Sequence, residues 1–232
     1  MTVSTPDAAR RERNRRLAIT TGILVLLALV IATGVWVTSG SSTTPDQAAT
    51  RTPAAHRGDH SLVVGASDAP VKVVVYEDFL CPFCRQLETS TRDFLHQDAA
   101  KGSVQVEYRP FQLLPDDYSR RALDAWAAVL QKGTPAQALK FHDLLYDEQP
   151  YEQAAHKPGV AALQALARKA GVTDPKVLDV LGSPNPAFFA AVQKSAGQAG
   201  VRGTPTVLVD GKPLGGSSIQ DLADRLEQRA AG

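Results

Sequence analysis

The sequence predicts an α/β domain whose strands are interrupted by a helical insertion, preceded by one N-terminal transmembrane helix. Three observations carry that reading. The β-branched run Val71–Tyr76 leads through Cys81-Pro82-Phe83-Cys84 into a helix-compatible stretch and then into the alternating run Val104–Tyr108. From about residue 116 to 200 the pattern is helical, punctuated by caps and prolines, before strand character returns at Thr206–Val209. Far upstream, residues 17–37 form an uncharged apolar run.

That run has 21 residues, and at about 1.5 Å rise each it covers the roughly 30 Å hydrocarbon core. Arg10, Arg11, Arg13, Arg15 and Arg16 precede it, and Arg51 is the first basic residue after it. The positive-inside bias therefore predicts a cytoplasmic segment 1–16, a transmembrane helix 17–37 with Trp36 at its far interface, and an exported remainder. The run exceeds the apolar core of a cleaved signal peptide, and Ala32-Thr33-Gly34 is a poor cleavage site placed too early, which favours an uncleaved anchor. Residues 38–59 are rich in Ser, Thr, Pro and Ala without an apolar period, and read as a flexible linker. The folded domain is expected over 60–232. A 44% hydrophobic fraction suits a packed core, and a net charge of +1 gives no reason to expect nucleic acid as a partner.

Within the domain, Ser61–Val64 is a short strand candidate. Val71–Tyr76 is nearly continuous in β-branched residues, as in a strand covered on both faces. Leu87, Thr91, Phe94 and Leu95 then recur on one helical face, Gly102 ends the helix, and Val104–Tyr108 makes a second strand. Such a β–α–β order fits a crossover unit. Leu123, Trp126, Ala127 and Leu130 form the stripe of the next helix. Thr134-Pro135, Pro158, Asp174-Pro175 and Asn185-Pro186 open four more, in most cases by a cap residue before proline at the first helical position. Asp210-Gly211 between Val209 and Lys212 is a strong hairpin signal, and Ser218 through Asp221 resembles a capping box opening a terminal helix.

The chain contains two cysteines, Cys81 and Cys84. A strand followed by Cys-x-x-Cys at a helix start has a direct use. Free N–H groups and the helix dipole stabilise a thiolate on the first cysteine, making it the exposed nucleophile. The second lies one turn in and resolves a mixed disulfide. Pro82 suits the first turn, where its missing N–H costs nothing. Two rival readings exist. Half of a zinc site would need further ligands, and of His56, His60, His96, His142 and His156 only His56 and His60 have a ligand spacing, in and beside the linker. An inert structural disulfide over a two-residue loop stabilises little. Redox chemistry is the stronger reading, and no metal and no cofactor are expected.

Over residues 60–232 the chain resembles the DsbA-like members of the thioredoxin superfamily, of the membrane-anchored extracytoplasmic type. The resemblance rests on Tyr76-Glu77-Asp78-Phe79-Leu80-Cys81-Pro82-Phe83-Cys84, on Arg109-Pro110-Phe111, on the helical insertion and on Gly203-Thr204-Pro205-Thr206. It implies a thioredoxin-like fold, a cis Pro205, and Thr204 as a backbone contact for substrate. It also implies exported cysteine-containing polypeptides as substrates and a membrane reoxidase of the DsbB or vitamin K epoxide reductase type as partner. Two departures stand out. The family's buried acid, six positions before the first cysteine, is replaced by Val75, leaving Glu77 and Asp78 as candidates for proton transfer or as solvated loop charges. Phe83 replaces the histidine of the strongly oxidising members, which argues for a less extreme potential.

Other residues read more simply. His142 lies on an apolar stripe and is expected as a partly buried, satisfied histidine; Trp126, Phe141 and Tyr146 as core; Arg120 and Arg121 as a solvated helix face. The expected function is an extracytoplasmic thiol–disulfide oxidoreductase that introduces disulfides into exported proteins. A reductase or isomerase, or a non-catalytic chaperone-like binding module, would share the same features.

Overall fold

A computed structural model describes residues 53–231; the expected cytoplasmic segment, the transmembrane helix 17–37 and most of the linker lie outside the described residues. Among the described residues no helix is long and apolar enough to cross a membrane. The strands are β1 (Ala55–Arg57), β2 (Leu62–Val64), β3 (Val71–Glu77), β4 (Val104–Pro110), β5 (Thr206–Val209) and β6 (Lys212–Leu214), in one sheet of order β1-β2-β4-β3-β5-β6.

The centre of the sheet follows from its sequence. β3 and β4 pair in parallel over their whole length, from Val71 opposite Val104 to Glu77 opposite Pro110. Parallel neighbours need a crossover, and α1 (Pro82–Lys101) supplies it. Pro82 sits in its first turn, and Gly102 ends it at φ 82, a left-handed conformation that glycine adopts without a Cβ penalty. Leu87, Thr91, Leu95 and Ala99 face the core, joined by a residue the apolar stripe did not forecast, Glu88.

The helical insertion comprises α2 (Asp117–Lys132), α3 (Pro135–Asp147), α4 (Val160–Lys169), α5 (Pro175–Val180) and α6 (Pro186–Gln198). Side chains cap four of these starts: Asp116 accepts from Tyr118 N–H, Thr134 from Gln137, Asp174 from Lys176 and Asn185 from Phe188. α2 is buried from Ala122 to Leu130 on every side, which explains its alanine content. Its Trp126 is fully enclosed and donates Nε1–H to the carbonyl of Ala138 at 3.3 Å. β5 and β6 form the expected hairpin, with Asp210 at φ 50 and Gly211 at φ 75, the twisted two-residue turn that suits Asp-Gly. α7 (Ile219–Ala230) closes the chain, capped by Ser218, and packs on α1.

Two expectations need correction. The fold starts before residue 60: Ala55–Arg57 pairs antiparallel with Leu62–Val64, and the Arg57 guanidinium bonds the carbonyls of Leu130 and Gly133. Backbone pairing on a sheet edge needs no apolar period, so composition read these residues as linker. Arg120 and Arg121 are not merely solvated. Arg120 bonds Asp124 at 2.8 Å and lies 3.9 Å over the Phe189 ring, and Arg121 donates to the carbonyl of Pro158 at 2.8 Å.

Candidate active site

Cys81 is the N-cap residue of α1, and its carbonyl accepts from the N–H groups of Cys84 at 3.1 Å and Arg85 at 3.2 Å. The sheet brings its partner loop. β5 runs antiparallel to β3 with Thr206 opposite Tyr76, so the residues before Thr206 fall beside the end of β3 where the Cys81 turn begins. The Thr204–Pro205 peptide bond is cis, and Cys81 Sγ lies 3.5 Å from the Thr204 carbonyl oxygen, a contact that only the protonated thiol can make as a donor. This cover corrects the picture of an exposed nucleophile. Cys81 is only 5% accessible, because a loop 123 residues away lies against it. Phe83, by contrast, stands in solvent, as does Pro82.

The two thiols, both free, are electrostatically unequal. Cys81 is lowered to about 6, first by the hydrogen bond from Cys84, against the opposing effect of burial. The Thr204 side chain and the N–H groups of Cys84 and Phe83 assist. Burial pushes the Cys84 thiol well above its ordinary value, and the hydrogen bond and charge of Cys81 push the same way. At neutral pH Cys81 is therefore a thiolate and Cys84 a thiol.

Glu77 and Asp78, at the end of β3, are both buried and neither is a solvated loop charge. Asp78 is fully engaged. Its carboxylate accepts from the amides of Leu80 at 2.8 Å, Leu113 at 2.7 Å and Leu114 at 2.9 Å, and from the Ser119 hydroxyl at 2.8 Å, tying the cysteine turn to the loop before α2. Glu77 instead meets His142 of α3, with Nε2 at 2.7 Å from Oε1.

His142 is wholly buried rather than partly so, and it is not fully satisfied. Its Nδ1 has no hydrogen-bond partner; carboxylate oxygens stand off at 3.6 Å (Asp143 Oδ1) and 3.8 Å (Glu88 Oε1). Burial alone would lower its pKa, but the carboxylates of Glu77 and Glu88 outweigh it and hold His142 up at about 10, an imidazolium. Burial raises Glu88 to about 7. Arg92 bonds Glu88 at 3.0 Å and Asp147 at 2.8 Å, carrying the network outward to solvent. Donor atoms of Glu77, Glu88 and His142 lie within 4.8 Å of one another, a spacing that suits a metal ion. The residues do not fit one: Nε2 is committed to Glu77, and Arg92 already supplies positive charge at Glu88.

Two further contributors escaped sequence reasoning. Gln149, just beyond α3, donates Nε2 to the carbonyls of Phe79 at 3.0 Å and Cys81 at 3.1 Å, and nothing in its surroundings in the chain marks it. Glu88 carried one available signal: a carboxylate one residue after a core leucine, on the buried side of the helix.

The fold and this dithiol arrangement define a DsbA-like thiol–disulfide oxidoreductase. A family model described as thioredoxin matches residues 58–227, and the chain belongs to that family. It is similar in structure to DsbA of Mycobacterium tuberculosis, at TM-score 0.62 and 28% identity, over 75% of this chain and 94% of that one. MdbA, a thiol-disulfide oxidoreductase of Corynebacterium diphtheriae, shares the fold at TM-score 0.65 and 24% identity, over 82% and 100% of the two chains. In sequence, disulfide bond formation protein D of Bacillus subtilis is 24% identical over 176 residues, covering 73% of this chain and 77% of that protein. A 92-residue segment is 35% identical to part of a Na(+)/H(+) antiporter, NhaA 3, of Salinispora tropica; it spans only 13% of that protein.

Proposed function

We propose that the chain oxidises thiols of exported polypeptides outside the cytoplasm, held to the membrane by residues 17–37. The observation that carries the direction is the inequality of the two thiols, with Cys81 lowered to about 6 and Cys84 raised. A stabilised Cys81 thiolate favours the reduced form of this protein, and so makes its disulfide a better oxidant. The export half of the reading is supported by five arginines ahead of an uncharged 21-residue run.

The cycle starts from the Cys81–Cys84 disulfide. A substrate thiolate attacks Cys81 Sγ; the bond between the two sulfurs breaks, and Cys84 leaves with the electron pair and takes up a proton. Asp78 is saturated by donors, so Glu77, held by His142, is the carboxylate suited to moving that proton. A second substrate thiolate then attacks the substrate sulfur of the mixed disulfide, and Cys81 departs as a stable thiolate. The substrate has lost two electrons and gained a disulfide; the protein holds a dithiol. A membrane reoxidase of the DsbB or vitamin K epoxide reductase type would take those electrons. Thr204 and Pro205, against Cys81, are positioned to pair with the incoming chain.

Equilibration of the full-length chain with glutathione redox buffers tests the direction. The Cys81–Cys84 couple is expected to be clearly more oxidising than thioredoxin's, which lies near about −270 mV. A potential at or below that value would overturn the oxidase assignment.

A further inference from the structure

The chain enters the domain at one end of the sheet and carries its cysteines at the other. A single rung joins Ala55, Val64, Val106, Val73, Val209 and Lys212, one residue from each strand in turn. The described chain begins at Pro53, just before Ala55. From that rung β3 runs on from Val73 to Glu77, about 13 Å, before the turn to Cys81. Lys212 therefore stands at the entry end, away from the attacking sulfur.

With Arg225, Gln228 and Arg229 of α7, Lys212 rims a groove of about 290 Å³ whose apolar lining is Val209, Pro213 and Leu214. All three cations are exposed, and no carboxylate lines the groove. Of the acids nearby, Asp221 pairs with Arg225 at 2.8 Å, and Asp210 Oδ1 accepts the N–H of Lys72 at 3.0 Å. Among the described residues, neither Lys212 nor Arg229 has an ion-pair partner. The adjoining sheet edge is guarded. Pro213 offers no N–H at the centre of β6 and Lys212 sets a charge beside it, so neither an extended polypeptide nor a second copy gains a ladder there. Cations around an apolar lining instead match a phospholipid surface, where phosphate lies beside hydrocarbon. Position agrees with chemistry. Residues 38–52 separate the entry end from the expected membrane run 17–37, and that stretch reaches at most about 50 Å. Tethering at such range makes even a weak contact count.

We propose that this basic groove docks on anionic phospholipid headgroups and so holds Cys81 away from the bilayer, toward exported chains. The inference rests on the anchored reading of residues 17–37 and supplies what that reading leaves open, the orientation of the domain. Docking is reversible. Each basic residue near an anionic surface contributes about a factor of five, so Lys212 and Arg229 together favour the docked state about thirtyfold over that on a neutral surface. That is weak enough for the domain to turn its cysteines back to a membrane reoxidase.

The test uses the full-length chain in lipid nanodiscs of phosphatidylcholine alone, or of phosphatidylcholine and phosphatidylglycerol in equal parts. Lysine acetylation, read by mass spectrometry, reports Lys212 directly. Lys194 is the internal reference, exposed on α6 beside Gln193, which bonds Gln112 beyond the catalytic end of β4. Lys212 is expected to react at least about threefold more slowly in the anionic discs, with Lys194 unchanged and the difference erased by molar salt. Arg229→Glu should also erase it while glutathione is oxidised at the wild-type rate. Equal Lys212 rates in the two discs, or a difference that survives Arg229→Glu, would overturn the proposal and leave the anchor standing. Slowing by inorganic phosphate in neutral discs would assign the groove to a free anion, and slowing in both discs with a dimer in sedimentation would assign it to a second copy; either overturns lipid docking. A chain that fails to enter neutral discs sinks the anchored reading and the proposal with it.

Discussion

Removing the Cys84 thiol should make Cys81 a poorer thiolate. The hydrogen bond from Cys84 is the largest influence holding Cys81 at about 6, ahead of the Thr204 side chain and the helix-end amides. A hydrogen bond to a charged acceptor contributes about 1.5–3 kcal/mol, and one pH unit corresponds to about 1.4 kcal/mol. Cys84→Ala is therefore expected to raise the Cys81 midpoint by about one to two pH units, to about 7–8. Cys84→Ser keeps a donor at the same place and should stay closer to the starting value. Thiolate absorbance near the ultraviolet edge, followed from pH 4 to 10 on the reduced full-length variants, reads the midpoint without turnover. Iodoacetamide alkylation rates against pH give an independent check. Equal midpoints in the Ala and Ser variants, or no rise in either, would refute the reasoning and assign the low value to the helix end alone.

Three further outcomes follow from the same geometry. His142 is raised to about 10 in the folded chain, so its contribution to stability is complete below its ordinary value of 6.5 and is lost as pH rises through about 10; the urea midpoint should fall over that window, and Glu77→Gln should flatten the fall. Cys81 behaves in the opposite sense. Its folded value is depressed, so in the reduced protein its contribution is present above the unfolded thiol value and is lost as pH falls through about 6, which calorimetry of reduced against oxidised chain would register. Asp78→Asn turns an acceptor of four donors into a group whose amide faces one or more N–H groups, and should cost about 2–3 kcal/mol in urea unfolding; a loss under about 0.5 kcal/mol would mean the turn re-forms without it.

Most of the helices and strands were legible because their signals are local. Thr134-Pro135 and Asn185-Pro186 announce helix starts through backbone chemistry confined to a few residues, and Asp210-Gly211 specifies a hairpin by the positive φ it tolerates. β1 was not legible, since Ala55-His56-Arg57 has no pattern of its own and becomes a strand only when Leu62–Val64 offers an edge. Glu77 and Asp78 are both candidates on sequence, but adjacent residues of the same type offer no means of separating them. Their fates diverge through partners at distant positions, Ser119 and Leu113 for one and His142 for the other.

By itself the sequence pointed to the atoms proposed here to carry the chemistry. Two cysteines at Cys-x-x-Cys spacing on a helix start leave few alternatives, and the polarity of that helix end distinguishes attacker from resolver. Tertiary structure alone decided what surrounds them: a thiol that is covered rather than exposed, an imidazolium sealed between carboxylates, and a glutamine that grips the backbone of the cysteine turn. The reason is the range of the forces involved. Helix dipoles, caps and turns act within a few residues, whereas burial and ion pairing join positions 65 and 123 residues apart and exist only once the sheet has brought its strands into register.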